Sequence, residues 1–538
     1  MNQFMNEDQV EIFVREYYES LKPEPMKTGS KRDLIYCGIV LVLSLLCVNF
    51  LFYGSSGIAF AVVAVGILTV TLLYLRPQHR GGGVYMGFCT MAYILCALSL
   101  VMSDSGLGTF LSICTMLILS GIILMEYMSL RRGRKGVLRS VIDWGYTVFA
   151  LSFGNIGGMF YAIFRKEKED GAVEKRKINS ILIGIVCSVP VLLMVIPLLM
   201  GADYAFEGLI DKLTLDIAKE IPATLFVGVG LFIPLFAQLW GAKVSEPKEK
   251  RGESRSKGID TMFLVTFLSV IALVYVVYLV SQMAYFFNAF AGLLPEDFTV
   301  AQYARRGFFE MTTVCVINLG LLFFALLASK KKENGKEPAV IRVLAVFLCL
   351  FSLVLIATAI SKMNLYILSF GMTYLRLITS VFMIFLCVVF CTMGLWIFLR
   401  KLPYMQVFVI TATILILGVS FADPARVVAG YNVNAYLTGK LDSVDMTELE
   451  YLGSDAVVPY VWELRNDPDD KVCRKAWGII YDHGLDYGFF ENGGEEYSYD
   501  WRDFNISSYR AYRLILENRD EIYSEACRHG HASYDRFD

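Results

Sequence analysis

Long apolar runs separated by short polar segments occupy most of the first 421 residues of this chain. Crossing a bilayer as a helix takes about 20 apolar residues, and eleven runs reach roughly that length. They lie at about 34–53, 57–75, 84–102, 107–130, 178–200, 221–240, 260–287, 307–328, 341–361, 372–399 and 404–421. The pattern predicts an all-α polytopic membrane protein with about 11 transmembrane helices.

A further stretch, Val141–Phe164, is only moderately apolar and carries Asp143 and several glycines. Basic clusters flank it at Arg131–Arg139 and Arg165–Lys177. Because cytoplasmic loops are enriched in Lys and Arg, both of its ends are expected on the cytoplasmic side. We therefore predict a re-entrant or interfacial segment. It is either a pore or substrate loop, whose irregular backbone is covered by protein, or an interfacial amphipathic helix.

The distribution of basic residues also predicts the topology of the whole chain. Residues 1–32 are expected to form a cytoplasmic N-terminal tail, because basic residues directly precede the first apolar run. Residues 33–421 are expected to form the transmembrane domain. An odd number of spans then places residues 422–538 on the extracytoplasmic side.

The region at 422–538 differs in composition from the rest of the chain. It holds 23 acidic and 12 basic residues, a formal balance of −11. Such a balance argues against binding of nucleic acid or anionic lipid. Apolar residues recur at helical spacing in four stretches: Met446–Leu452, Val457–Leu464, Val472–Ile480 and Ser508–Leu516. We predict a small, mostly helical extracytoplasmic domain.

Composition and motifs exclude several kinds of chemistry. The chain is 56% hydrophobic, above the 45–50% that is typical of soluble domains. Its 12 cysteines include no C-x-x-C pair, so a zinc or redox site has no support. H-E-x-x-H and phosphate-binding loop motifs are absent as well. The sequence predicts no catalytic residue, no metal site and no cofactor, and hence a protein that is not an enzyme.

The stretch Tyr303–Asn318 contains the charged residues that most need an explanation. Arg305 and Arg306 lie at the mouth of an apolar run, and Glu310 follows within its first turn. A carboxylate that faces hydrocarbon is costly unless it is paired. Glu310 is either part of an interfacial anchor with the two arginines or a functional group. We predict that Glu310 pairs with Arg376 near the outer surface, or shares Arg306 with it.

Charged and aromatic residues also gather at two other span ends that the topology places on the same outer surface. We call the combined set the helix-end cluster. Its members are Tyr303, Arg305, Arg306, Glu310, Tyr374, Arg376, Asp423, Arg426, Tyr431 and Asn432. One shared site explains their common depth better than separate anchors do. It is either a ligand site or a structural joint that docks the C-terminal domain onto the helix ends.

Three of these stretches resemble one protein family. They are Tyr303–Glu310 (Y-A-R-R-G-F-F-E), Leu365–Leu377 (L-Y-I-L-S-F-G-M-T-Y-L-R-L) and Asp423–Tyr436 (D-P-A-R-V-V-A-G-Y-N-V-N-A-Y), and Asp500–Ser507 (D-W-R-D-F-N-I-S) resembles the family's C-terminal end. The family is the bacterial membrane family numbered as domain of unknown function 4173. The resemblance covers roughly residues 180–510, with Gly430 where the family pattern has arginine. It implies a multi-pass protein of the bacterial cytoplasmic membrane and no particular reaction.

Two functions remain open from the sequence. The first is a non-enzymatic envelope protein that senses, scaffolds or regulates, with the lipid bilayer and a membrane or envelope protein as partners. The alternative is a transporter or lipid-handling protein with a charged site at the outer surface. Against the alternative, charged residues are scarce at mid-span, where transporters usually bind their substrates.

Overall fold

The structure is a computed structural model. It describes residues 27–52, 57–130, 137–167, 173–175, 217–245, 259–291, 308–329, 338–399, 402–490, 502 and 504–531. The first helices are α1 (Lys31–Phe52), α2 (Ile58–Leu75), α3 (Val84–Met102), α4 (Gly106–Tyr127), α5 (Val137–Gly145), α6 (Leu151–Gly154) and α7 (Ile156–Phe164). Then come α8 (Ile217–Val244), α9 (Thr261–Ala291), α10 (Phe308–Ala328), α11 (Ala339–Phe370), α12 (Tyr374–Phe398) and α13 (Tyr404–Ala422).

Nine helices of the described ranges are long and apolar enough to cross a membrane, or ten if one bent pair counts as a span. The nine coincide with nine of the eleven predicted runs. The predicted run at 307–328 forms α10, in which Glu310–Leu326 is a shorter apolar segment. The predicted run at 178–200 lies outside the described residues. The fold is therefore that of a multi-pass membrane protein, while the number of 11 spans stays a prediction.

The moderately apolar stretch at 141–164 folds as a broken helix. A π-helical turn, Tyr146–Ala150, links α5 to α6, and a bend of 48° separates this helix from α7. At the bend, Asn155 lies so close to Gly241 of α8 that a Cβ on that glycine would collide with the Asn155 amide. A bend of this kind fits a broken span as well as a re-entrant loop. The predicted re-entrant or interfacial placement accordingly stays a prediction.

Two short strands follow α7. Strand β1 (Arg165–Glu167) pairs antiparallel with β2 (Val173–Lys175), and Arg165 lies opposite Lys175. The sequence analysis did not predict them, because three-residue segments are too short to show the alternation that reveals a strand.

The chain divides into two compact units, described separately here. The described part of the first lies within residues 1–48, 70–78 and 146–246. Its most polar feature is Asp33, in the first turn of α1 and 4% exposed. Its carboxylate accepts a hydrogen bond from the hydroxyl of Tyr74 at 2.9 Å and forms an ion pair with Lys243. The Lys243 ammonium also lies 5.1 Å from the ring centroid of Trp240. These contacts satisfy a buried carboxylate that would otherwise be costly.

The second unit covers residues 49–69, 79–145 and 247–538, and helices α9–α13 form one of its cores. A chain of hydrogen bonds crosses that core. The Tyr275 hydroxyl donates to Asn318 Oδ1 at 2.7 Å, and Asn318 Nδ2 donates to Ser352 Oγ at 3.0 Å. Ser352 in turn donates to the Leu348 carbonyl at 2.8 Å. Each polar group has a partner, as burial among apolar helices requires.

Small residues bring α13 close to α3 and α4 in the same unit. The Ser112 hydroxyl lies 2.9 Å from that of Ser99 and donates to Ser420 Oγ at 3.0 Å. A Cβ added to Gly108 would lie 3.5 Å from the Ser420 Cα. Close approach at small residues is a common way for membrane helices to associate. It places the end of α13 beside the connection between α3 and α4.

Within the described residues six α-helices follow α13, and we call them the C-terminal helical region. They are α14 (Pro424–Leu437), α15 (Met446–Tyr451), α16 (Val458–Glu463), α17 (Asp470–Asp486), α18 (Ile506–Glu517) and α19 (Arg519–Arg528). The four stretches with helical spacing are thus helical. Side-chain caps begin four of these helices, at Asp423, Asp445, Asp469 and Asn505.

The C-terminal helical region has its own apolar core. Trp477 and Ile480 of α17 pack there with Leu464 and with Ile515 of α18, and each of these side chains is at most 2% exposed. The Trp462 ring meets Trp477 edge-on, with centroids 5.8 Å apart. Burial of this apolar surface is what holds six short helices together.

Candidate functional site at the ends of the membrane helices

Three helix ends contact the C-terminal helical region, and we call this contact zone the joint. They are the connection between α3 and α4, the turn between α11 and α12, and the end of α13, where Asp423 leads directly into α14. These three ends therefore lie on one side of the second unit. The sequence analysis had placed two of them, the α11–α12 turn and the end of α13, at one depth.

Asp423 is the junction between the last membrane helix, α13, and the C-terminal helical region. Its backbone φ is 57°, in the left-handed region that non-glycine residues rarely adopt and Asp tolerates better than most. Its buried carboxylate caps α14 by accepting from the N–H groups of Ala425 at 3.2 Å and Arg426 at 3.5 Å. Pro424 occupies the first helical position, where a helix needs no N–H donor and the fixed φ of proline is favourable. The sequence D-P-A-R thus starts a new helix immediately after a span.

Ser507 of α18 connects Asp423 to a second helix end. The Arg426 guanidinium donates to Ser507 Oγ at 2.8 Å. The Ser507 hydroxyl lies 3.2 Å from both the Asp423 carboxylate and the Met102 carbonyl at the end of α3, and its single hydrogen can serve either acceptor. Two helix ends and α18 therefore share one buried polar contact.

Asn432 holds the turn between α11 and α12. It is 3% exposed. Its Oδ1 accepts from the Met372 N–H, and its Nδ2 donates to the Met372 carbonyl, both at 2.7 Å. The neighbouring Gly371 has φ 75°, and a Cβ there would lie 2.8 Å from Asn432 Oδ1. The amide of α14 thus satisfies both backbone groups of a turn that only glycine fits well.

The structure places Tyr374 and Arg376 beside this turn. The Tyr374 N–H donates to Glu448 of α15 at 2.8 Å. The Arg376 guanidinium donates to the Phe370 and Gly371 carbonyls and lies 4.0 Å from the ring centroid of Tyr366. A cation at the last carbonyls of α11 is favourable for the helix dipole.

The hypothesis that Glu310 pairs with Arg376 is wrong. Glu310 is exposed on α10, and across the described residues no ion pair joins it to Arg376. The Arg376 guanidinium donates instead to the carbonyls of Phe370 and Gly371 at the end of α11. Tyr303, Arg305 and Arg306 lie outside the described residues. Tyr431 packs against the core of α9–α13.

Sequence reasoning missed Asp104, in the connection between α3 and α4. Its carboxylate accepts from the Ser454 hydroxyl at 2.8 Å and from the Asp455 N–H at 2.6 Å. Burial raises the pKa of Asp104 to about 6, and the nearby charges of Asp455 and Asp423 act in the same direction. The signal was a carboxylate in the short polar segment S-D-S between two spans, where few residues can reach another element.

His483 of α17 completes this part of the joint. Its Nδ1 lies 3.0 Å from Asp455 Oδ1. Burial acts to lower the pKa of His483, but the hydrogen bond and charge of Asp455 outweigh burial and raise it above the usual 6.5. Burial acts to raise the pKa of Asp455, and the bond and charge of His483 outweigh burial and lower it below 3.8. Each of the two residues therefore favours the charged form of the other.

The joint's polar groups are engaged mainly with one another, which is the arrangement of a structural contact. Among the residues that the structure describes, no group of three or more His, Cys, Asp or Glu is arranged to hold a metal ion.

Cys473 lies 4.0 Å from His529 Nε2, but its thiol donates to the Arg465 carbonyl. Burial first, and nearby acids second, raise the Cys473 pKa. A thiol with a raised pKa is a poor nucleophile.

Fold and composition define a multi-pass integral membrane protein. The chain belongs to the family described as domain of unknown function (DUF4153), whose sequence model matches residues 90–461. The match extends from α3 to α16 and includes Asp104, Met372, Asp423 and Asn432. The sequence analysis had named the family numbered 4173. The family whose model matches has a different number and is also one of unknown function. No curated protein and no solved structure matches the chain.

Proposed function

We propose that this is a non-enzymatic protein of the bacterial cytoplasmic membrane whose C-terminal helical region senses or scaffolds an envelope component. In this proposal residues 1–32 are a cytoplasmic tail, 33–421 the membrane domain and 422–538 the extracytoplasmic domain. The membrane helices carry the response of that domain. The resemblance of the helix-end motifs to the family numbered 4173 is part of the same proposal.

The observation that carries the proposal is the bond pair between Asn432 and Met372. A loop that merely lies on a membrane surface needs no buried side chain to hold its backbone. Here the first helix of the C-terminal region fixes the turn between two spans, and Asp104 fixes a second connection to the Asp455 N–H. Movement of the region therefore changes the hydrogen bonding of two helix ends.

Hydrogen–deuterium exchange of the protein in lipid nanodiscs tests this coupling. Ile480→Ala opens a cavity in the core of the C-terminal region, which is expected to cost about 2–5 kcal/mol. We expect faster exchange at the α11–α12 turn and at the α3–α4 connection, although neither touches Ile480. Leu516→Ala, at a position 45% exposed on α18, is the matched control. Unchanged exchange at both helix ends in Ile480→Ala would contradict this coupling.

The lipid-handling alternative has one observation in its favour, a cavity between α11 and α12. Reconstitution separates the two functions. Vesicles that contain a fluorescent phospholipid report scrambling when an impermeant reductant quenches the outer leaflet. The proposal predicts the slow rate of protein-free vesicles, whereas rapid loss of the protected fluorescence would favour the alternative.

A further inference from the structure

A cavity of about 650 Å³ lies between α11 and α12, open on one side, within the part of the chain that forms membrane spans. Its volume falls within the roughly 300–1,000 Å³ of small-molecule sites. The lining is mostly apolar, as at Leu353, Ile360 and Leu377. From Leu353 to Ile367 the lining on α11 extends for about 21 Å at 1.5 Å per residue. One leaflet of hydrocarbon is about 15 Å deep, so the cavity can hold an acyl chain over its full depth.

Asn364 lines the cavity and is exposed. Within the described residues its side-chain amide has no hydrogen-bond partner. By contrast, the Ser380 hydroxyl donates to the Arg376 carbonyl at 2.7 Å. Asn364 lies six residues from the end of α11, about 9 Å along the axis. Asn364 lies beyond the predicted apolar run at 341–361, so this amide is at the interfacial end of the cavity and can hydrogen-bond an occupant. An occupant with ester or glycerol oxygens at this level satisfies it.

Arg376 brings a positive charge near one end of the cavity. It is adjacent to the lining residue Leu377 and donates to the Gly371 carbonyl beside the lining residue Met372, and within the described residues no carboxylate pairs with it. Glu448, the acid at this turn, accepts from the Tyr374 N–H. An anionic headgroup at Arg376 is therefore favourable, and a zwitterionic one gains less.

We infer that this cavity is a binding site for an anionic phospholipid. One acyl chain lies between α11 and α12, the ester region meets Asn364, and the headgroup phosphate meets Arg376. Met372 lines the same cavity and has its backbone held by Asn432. Binding of the lipid would thus affect the C-terminal helical region through Met372 and Asn432, and this coupling rests on the proposed function.

Photolabelling tests the site with two lipid probes. Phosphatidylglycerol and phosphatidylcholine, each with a diazirine in one acyl chain, are added separately to nanodiscs of unlabelled phosphatidylcholine that hold the full chain. Mass spectrometry then locates the labelled peptides. We expect labelling of the lining residues of α11 and α12, severalfold stronger with phosphatidylglycerol. Equal labelling by the two probes would overturn the preference for an anionic lipid.

Two substitutions on α11 test the site further. Ala357 is exposed and lines the cavity, so Ala357→Phe fills it without disturbing a packed core. We expect labelling to fall by about tenfold, the effect of losing one good contact. Val354→Phe, at an exposed position of α11 outside the lining, should label like the native chain. Native labelling in Ala357→Phe, or labels only outside α11 and α12, would overturn the site.

The exchange experiment with Ile480→Ala uses no lipid probe, so the two proposals fail separately. Labelling can disappear while the C-terminal region still affects the helix ends. In that case the cavity inference falls and the proposed function stands. The reverse result retains the lipid site and removes its coupling to the C-terminal region.

Discussion

The side-chain amide of Asn432 bonds to both backbone polar groups of Met372, with each donor and acceptor 2.7 Å apart. Asn432 belongs to the first helix after the last span, and Met372 belongs to the turn between two earlier spans. Sixty residues of sequence separate them. This contact joins the C-terminal helical region to the membrane helices.

The first prediction concerns this amide. Asn432→Ala should strand the N–H and carbonyl of Met372, at a cost of roughly 1–3 kcal/mol for each buried group. We expect a lower midpoint of thermal unfolding in detergent. Asn434→Ala, at an exposed position of the same helix, is the matched control and should leave the midpoint unchanged. Equal midpoints for the two variants would show that the amide does not hold the turn.

The second prediction concerns Gly371. Its φ of 75° is unfavourable for any residue with a Cβ, and that Cβ would lie 2.8 Å from Asn432 Oδ1. Gly371→Ala should therefore destabilise the protein by at least about 1 kcal/mol. Gly394→Ala on α12 has open space around the new methyl group. It should be neutral or slightly stabilising, since alanine is a better helix former. The unfolding midpoints of the two variants in the same detergent decide the matter, and similar midpoints would contradict the close approach.

The third prediction concerns pH. The raised pKa of Asp104, about 6, means that the folded chain holds a proton which the unfolded chain releases above 3.8. Its contribution to the free energy of unfolding is present below 3.8 and is lost as the pH rises through 6. His483, also raised, contributes below 6.5 and loses its contribution as the pH rises further. Asp455, with a lowered pKa, contributes above 3.8 and loses its contribution as the pH falls.

These three signs place the greatest stability near pH 3.8, because the contribution of Asp104 is lost progressively between 3.8 and about 6 and that of His483 is lost above 6.5. The unfolding midpoint should fall as the pH is raised from there to about 8. Asp104→Asn removes one titrating group, and its amide can still accept from the Asp455 N–H and donate to Ser454. The variant should be more stable than the native chain at about pH 8 and should show a flatter profile. Asp442→Asn, at an exposed position, should retain the native profile. A native-like slope in Asp104→Asn would contradict the assignment.

How much of this was predictable depends on the range of the interaction. Apolar runs reveal spans because the bilayer imposes a fixed length on every helix. The helix start at Asp423 was readable because its cap and proline are adjacent in sequence. The role of Asn432 was not, because its partner is a backbone 60 residues away. A side chain that binds backbone leaves no complementary residue type in the sequence.

The contacts of the joint also explain why a prediction from charge alone, the pairing of Glu310 with Arg376, was wrong. Glu310 and Arg376 carry opposite charges at plausible depths, and the sequence offered no competing partner for the arginine. The carbonyls at the end of α11 are such partners, and every helix end supplies them. Asp104 was overlooked because one acid between two spans looks like an ordinary loop residue. Its importance comes from Ser454 and Asp455, about 350 positions later.

The central claim is that the C-terminal helical region and the joint lie on the outer side of the membrane. Tyr451 is 84% exposed on α15, so Tyr451→Cys offers an accessible thiol. Gly82, in the connection between α2 and α3, is exposed and lies at the opposite end of α3 from the joint, so Gly82→Cys is the matched control. Both variants are made with Cys473→Ser to remove the partly exposed native thiol of the C-terminal helical region, whose other described cysteine, Cys527, is buried.

A membrane-impermeant maleimide, applied to intact cells with reductant removed just beforehand, reports the side of each thiol. The account predicts labelling of Tyr451→Cys on intact cells and labelling of Gly82→Cys only after lysis. Labelling of Gly82→Cys on intact cells, with Tyr451→Cys protected until lysis, would contradict it.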